Sequence, residues 1–339
     1  VDDQALIDDV LGGERDGDTT LGAVYGVVRF AAFAGITVLA GSAVFLTWLW
    51  PAGRDDRRAR RVVAAAWWTT VAATVLCIPL QGAYAAGGTL ADAFDPSVIG
   101  DELGTRTGRA WVARLILLAG GAVVWPGLAR LGGATARAVT AIGGIVLLVT
   151  VSVTGHAVSG DLVPLAFATD VTHLSGVSVW LGGLAMLLFA LLWTAGGDDG
   201  DIADAAGTAG DAAGEAESVV NLFSQVAFGA VVAIVVSGTI QGWRQVGSYD
   251  ALLDTSYGRL LVTKVLLFAG MLVAAAVSRS WVRQRAAATT ASLALSPGPG
   301  SAAASPDAGR TRFSVLRRSV ATEVVLAVAV LAVAALLVN

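Results

Sequence analysis

Only two histidines occur in the chain, and both lie in one window, VTGHAVSGDLVPLAFATDVTHLSGVSVWLGG, residues 153–183. His156 closes an apolar run. A tight turn with Gly160, Asp161 and Pro164 follows, and His173 sits in the next run. If both runs are helices, two imidazoles leave adjacent antiparallel elements at a similar level and can converge on one ion. Counting twenty residues back from Trp193 covers about 30 Å of helix, which puts His173 near one boundary of a bilayer. Imidazole suits copper, zinc, iron and nickel, so the ligand type alone selects no metal. Asp170 lies one turn before His173 and Trp180 two turns after it, so the three share a stripe. Asp170 can accept a hydrogen bond that orients the ring, or it can cap and pair locally. Trp180 can line a cavity or pack against a neighbour. The histidine pair itself can hold a metal or a haem, or form a polar turn that needs hydrogen bonds. Met186 points away from the stripe. Met271 and the single cysteine, Cys77, are soft ligands only in principle, since such residues in apolar helices usually pack.

The elements that must position these residues follow from composition. The 339 residues are 55% hydrophobic and 14% charged, whereas a soluble domain carries about a quarter charged residues. Apolar runs near or above the ~18–20 residues that span a bilayer recur throughout. They predict eight spans: Val24–Trp50, Val62–Tyr84, Ala110–Leu128, Val139–His156, Ala166–Trp193, Val219–Gly242, Leu260–Trp281 and Val320–Val338. Lipid offers the backbone no hydrogen-bond partners, so the spans should be helical. The expected fold is all-α, a polytopic membrane helix bundle.

Arginine placement predicts the orientation. The segments after the first span (Arg54, Arg57, Arg58, Arg60, Arg61), after the third (Arg130, Arg137) and before the last (Arg279 to Arg318) fall on one side. That side is read as the cytoplasm of a cell-membrane protein, with both termini outside. Residues 1–22 read as an acidic outer segment, 23–158 as a first four-helix half and 159–339 as a second, with flexible cytoplasmic loops at 196–217 and 286–312. One lysine and many aspartates give a surface like that of halophilic proteins, and nothing points to nucleic acid.

An internal repeat supports the two halves. LGTRTGRAWVARLILLAG (103–120) and LDTSYGRLLVTKVLLFAG (253–270) agree at eight of eighteen positions. The copies open the third and seventh spans, four apart, so the halves should run in the same sense about an axis along the membrane normal. Gln81-Gly82 and Gln241-Gly242 extend the correspondence, while the first and fifth spans show no convincing match. Thr105 and Thr255 are predicted N-caps. Arg109 and Arg259 should sit at the boundary, with Arg114 and Lys264 about 7–8 Å deeper. Those deeper cations are expected to snorkel to head groups, the alternative being an anionic partner within the bundle. The repeated segment reads as scaffold.

Two patterns carry a family resemblance. Gly155-His156-Ala157 with Asp170, His173, Trp180, Gly182 and Gly183 is one; Thr255, Tyr257, Gly258, Arg259, Leu261 and Lys264, with the counterparts Thr105, Gly108, Arg109 and Arg114 in the first copy, is the other. Both resemble the copper resistance protein D (CopD) family, over most of the chain. The resemblance implies an eight-helix inner-membrane protein that moves copper, generally inward, with His156 and His173 as ligand candidates. Cu(I), which accepts two ligands, fits the pair better than Cu(II), and a bis-histidine haem protein or a copper-handling scaffold is the alternative. The family often works with an extracytoplasmic CopC-type copper carrier, free or fused. About twenty residues precede the first span here, too few for such a domain, so a separate carrier or direct access from outside is expected. No ATP-binding motif or catalytic segment is evident, and a transporter is expected rather than an enzyme.

Overall fold

Leu, Val and Ala dominate the long runs, and in lipid such runs satisfy their backbone only by coiling. The computed structural model describes residues 3–155, 162–191 and 206–246, together with 262, 265, 266 and 270. These are helical apart from turns and connections, with no strand among them. In order come α1 (Asp3–Val44), α2 (Arg57–Ala85), α3 (Pro96–Gly104), α4 (Arg106–Val124), α5 (Gly133–Ser152), α6 (Val163–Met186) and α7 (Ala206–Val246).

Six stretches are long and apolar enough to cross a membrane: Thr20–Leu49, Arg57–Ala85, Arg106–Leu128, Gly133–Ser152, Val163–Ala190 and Ser218–Arg244. They coincide with the first six predicted spans. The seventh and eighth fall outside the described residues. The outward faces are apolar: Val123 is 81% exposed and Phe228 70%. Large side chains of that kind, repeated along one helix after another, belong against lipid tails rather than water.

Local chemistry explains the boundaries. Asp56 caps α2, its carboxylate accepting from the Arg58 and Ala59 amides at 2.8 Å each. Asp95 caps α3 ahead of Pro96, accepting from the Ser97 amide at 2.8 Å and the Ser97 hydroxyl at 2.7 Å. Those bonds hold its carboxyl below the usual range. Thr105 caps α4 as predicted, its Oγ1 accepting from the Gly108 amide at 3.0 Å. Two features depart from the sequence reading. α1 begins at Asp3, well before the apolar run, and α7 begins at Ala206, inside the stretch read as a flexible loop. The start of α7, AGTAGDAAGEAE, is Ala-rich, and alanine favours helix even without an apolar face to bury.

α1 and α2 run antiparallel, with Gly35 against Thr70 and Tyr25 bonded to Gln81. α6 and α7 are likewise antiparallel, since Gly183 meets Phe223 and Gly176 meets Ala230 and Ile234. Between these pairs α1 and α6 cross in parallel. Their closest approach is at Gly41 and Gly182: a Cβ on Gly41 would stand 2.7 Å from Gly182 Cα, and one on Gly182 would stand 2.6 Å from Gly41 Cα. Only residues without side chains let backbones meet this closely. The main core, with Phe45, Leu46, Trp180, Leu184, Met186 and Phe223, packs beside this crossing. Both helices also finish in a widened π turn, Phe45–Leu49 after α1 and Leu187–Leu191 after α6. In the first, the Trp50 amide donates to the Phe45 carbonyl at 2.9 Å.

Candidate metal site

His173 stands ten residues into α6, about 15 Å along the axis from Val163. It is half-buried, and its ring faces α7. Nδ1 lies 3.2 Å from the Ile234 carbonyl oxygen and 3.2 Å from Ser237 Oγ. Gly238 completes the contact. A Cβ there would be 3.3 Å from Cε1 and 3.5 Å from Nδ1, so the absence of a side chain leaves the ring its seat. Ser237 in turn donates to the Ala233 carbonyl at 2.5 Å. One turn further along α7, the Gln241 side-chain nitrogen is buried with no hydrogen-bond partner among the described residues. Its repeat counterpart, Gln81, accepts from the Tyr25 hydroxyl.

Asp170 is half-buried one turn before His173. Trp180 is buried in the core with Phe45, Leu184 and Phe223, so it packs. Met186 is wholly buried in the same core, away from His173. α5 ends at Ser152, four residues before His156. His156, Asp161, Thr255, Tyr257, Gly258, Arg259 and Lys264 lie outside the described residues. At the entry to α6, Leu162 adopts the left-handed backbone conformation (φ 55°), uncommon for a branched side chain. Pro164 then occupies the first turn of α6. Among the described residues no three His, Cys, Asp or Glu side chains group to hold a metal.

The repeated cations behave differently from one another. Arg109 is exposed at the helix end, its Nε donating to the Thr105 carbonyl at 3.1 Å. Arg114 does not snorkel: only 4% of it is exposed. Its Nε donates to Thr150 Oγ1 at 2.9 Å and its Nη2 to the Thr150 carbonyl at 3.1 Å. Its helical phase turns it toward α5, where a threonine supplies both acceptors, and no carboxylate among the described residues takes part. Above it, Glu102 is buried and accepts from the Thr105 hydroxyl at 3.1 Å. Burial pushes its carboxyl above the usual range, partly offset by that hydrogen bond. Arg29 lies over the Tyr25 ring at 5.3 Å. The Arg114–Thr150 bonds tie the third and fourth spans together, and the cluster presents cations where a metal ion would be repelled. Cys77, buried beside Tyr25 and Leu80, belongs to this packing.

Sequence reasoning placed His173 on a helix but missed Ser237, Ile234 and Gly238. Only the Gln241-Gly242 echo of Gln81-Gly82 marked that end of α7 as more than lipid-facing.

Comparison with known proteins agrees with this architecture. The family model described as "Copper resistance protein D-like, N-terminal domain" matches residues 19–165, and that described as "Copper resistance protein D" matches 217–337. His173, with all of α6 beyond its first three residues, falls between the two matched stretches. A relative, "Copper transport protein CutJ" of Bacillus subtilis (strain 168), is 28% identical over 275 residues, which is 78% of this chain and 48% of the relative. The chain thus spans about half the length of that curated relative. No solved structure matches it. With six apolar spans and family matches across both halves, this multi-pass membrane protein belongs to the copper resistance protein D family.

Proposed function

We propose that the chain carries copper ions across the membrane, with His156 and His173 forming a two-coordinate Cu(I) site between the fourth and fifth spans. The observation that carries the reading is a half-buried imidazole, in a copper-family bundle, held through one ring nitrogen by a neighbouring helix. Metal-binding histidines are characteristically anchored in this way, through the ring nitrogen that does not meet the metal. The soft, low-coordinate character of the pair favours Cu(I). Uptake is the direction proposed, from an extracytoplasmic entry site, with copper delivered by a separate CopC-type carrier. The relative's name, a copper transport protein, supports copper transport as the activity.

The proposed architecture is eight spans in two parallel four-helix halves, with both termini extracytoplasmic. Support comes from the first and fifth spans, where sequence offered no match. They run in the same direction, meet glycine to glycine, and both close in a π turn. π turns interrupt regular helices mostly at functional places.

The test is flux. Purified full chain in proteoliposomes should admit Cu(I), and the His156→Ala/His173→Ala double variant should abolish entry. Equal flux in the two would remove the mechanism.

A further inference from the structure

We infer that α7 sets the tautomer of His173, so that Nε2 is the metal-binding atom and Ser237, the Ile234 carbonyl and Gly238 are its positioning groups. This rests on the copper-site reading above and specifies it.

A carbonyl oxygen can only accept, so the 3.2 Å contact between Nδ1 and the Ile234 oxygen requires the proton on Nδ1. Ser237 leads to the same assignment independently. Its single proton is directed to the Ala233 carbonyl at 2.5 Å, leaving Oγ to offer a lone pair to Nδ1 at 3.2 Å. Two acceptors therefore converge on one ring N–H. A neutral imidazole with its proton on Nδ1 carries its lone pair on Nε2, at the opposite side of the ring. Gly238 is the steric part of the device. A Cβ at 3.3 Å from Cε1 is already tight, and a branched side chain would push the ring off the carbonyl. The sixth span is thus a positioning element for a ligand carried by the fifth. A rigid supporting contact of this kind typically affects metal affinity by 10–100-fold.

The sequence makes the experiment clean, because two histidines give only two sets of ring-nitrogen resonances. Full chain labelled with 15N-histidine, in detergent, is titrated with Cu(I), a diamagnetic ion, with His156→Asn giving the assignments. His173 Nδ1 should be protonated both before and after Cu(I), and Nε2 should shift on binding. Ser237→Ala removes one of the two acceptors and leaves the Ile234 carbonyl, so it should keep the Nδ1–H tautomer while weakening Cu(I) binding about 10-fold, at the lower end of that range. Ser237→Thr, which keeps the hydroxyl, should restore the affinity, and Gly238→Val should displace the ring and weaken binding at least as much. A Cu(I) shift at Nδ1, or a Ser237→Ala protein with wild-type affinity, overturns the inference while leaving a copper site standing. No Cu(I) shift at either histidine overturns the copper site, and the inference with it. If a variant fails to fold, the wild-type spectrum alone decides the tautomer.

Discussion

Replacing Gly41 with alanine tests the seam on which the two helix pairs meet. α1 and α6 touch there with no side chain between them. The new Cβ would stand 2.7 Å from Gly182 Cα and 2.8 Å from the Ser178 carbonyl carbon. Carbon atoms pack at about 3.5–4.0 Å, so the helices must part by roughly 1 Å. Overpacking of this kind costs about 1–3 kcal/mol. At about 2–4 °C per kcal/mol for a domain of 150–250 residues, the melting temperature should fall by several degrees. Gly182→Ala should do the same, since its Cβ would stand 2.6 Å from Gly41 Cα, 2.9 Å from the Gly41 carbonyl carbon and 3.0 Å from the Ser42 nitrogen. The control is Gly229→Ala on the open face of α7, where a Cβ would meet nothing within 4 Å. There the gain in helix propensity, up to about 1 kcal/mol, should leave the protein unchanged or slightly stabler. The assay is thermal unfolding of the full chain in detergent, with size exclusion to follow loss of the monodisperse peak. A Gly41→Ala protein melting with Gly229→Ala would refute the close crossing.

Thr150→Val deprives the buried Arg114 of its hydroxyl acceptor. Hydrogen bonds to charged groups contribute about 1.5–3 kcal/mol, so unfolding should move down accordingly while Thr150→Ser stays near wild type; indistinguishable Val and Ser proteins would show that the guanidinium is held elsewhere. Asp56→Ala removes the cap of α2 and should cost about 1 kcal/mol, with Asp56→Ser recovering most of it; equal melting of the Ala and Ser variants would contradict the cap. Glu102 supplies a pH test. Its carboxyl keeps its proton to higher pH folded than unfolded, so its contribution is most favourable below the ordinary glutamate range. That contribution diminishes as pH rises toward the raised folded value. Melting temperatures of Glu102→Gln against wild type across this window should diverge in favour of the variant as pH rises, and parallel curves would sink the assignment.

How much of this was legible in the sequence follows from what each feature depends on. Span positions depend on local apolar length, and Val62–Tyr84 or Val219–Gly242 needed no partner to be recognised. Caps such as Thr105 are equally local. The short α3 carries a local signal too, Asp95 followed by Pro96 at the first helical position, though it lies between spans and has no apolar length to mark it. The fate of Arg114 depends on which neighbour its helical phase faces, and α5 had to be placed before Thr150 could be seen as its acceptor. His173 was singled out by scarcity alone. Its anchors lie more than sixty residues away on α7, and a serine and a glycine in an apolar run carry no mark of their purpose. The likeness of the first and fifth spans resides in backbone geometry, direction of travel and π turns, which different side chains can encode.

Copper-edge X-ray absorption on the full chain, loaded with one equivalent of Cu(I), tests the central claim most directly. Scattering from two imidazole nitrogens and no sulfur is expected, with that signature lost in either His156→Ala or His173→Ala. A sulfur neighbour, or a spectrum unchanged in His173→Ala, would contradict it.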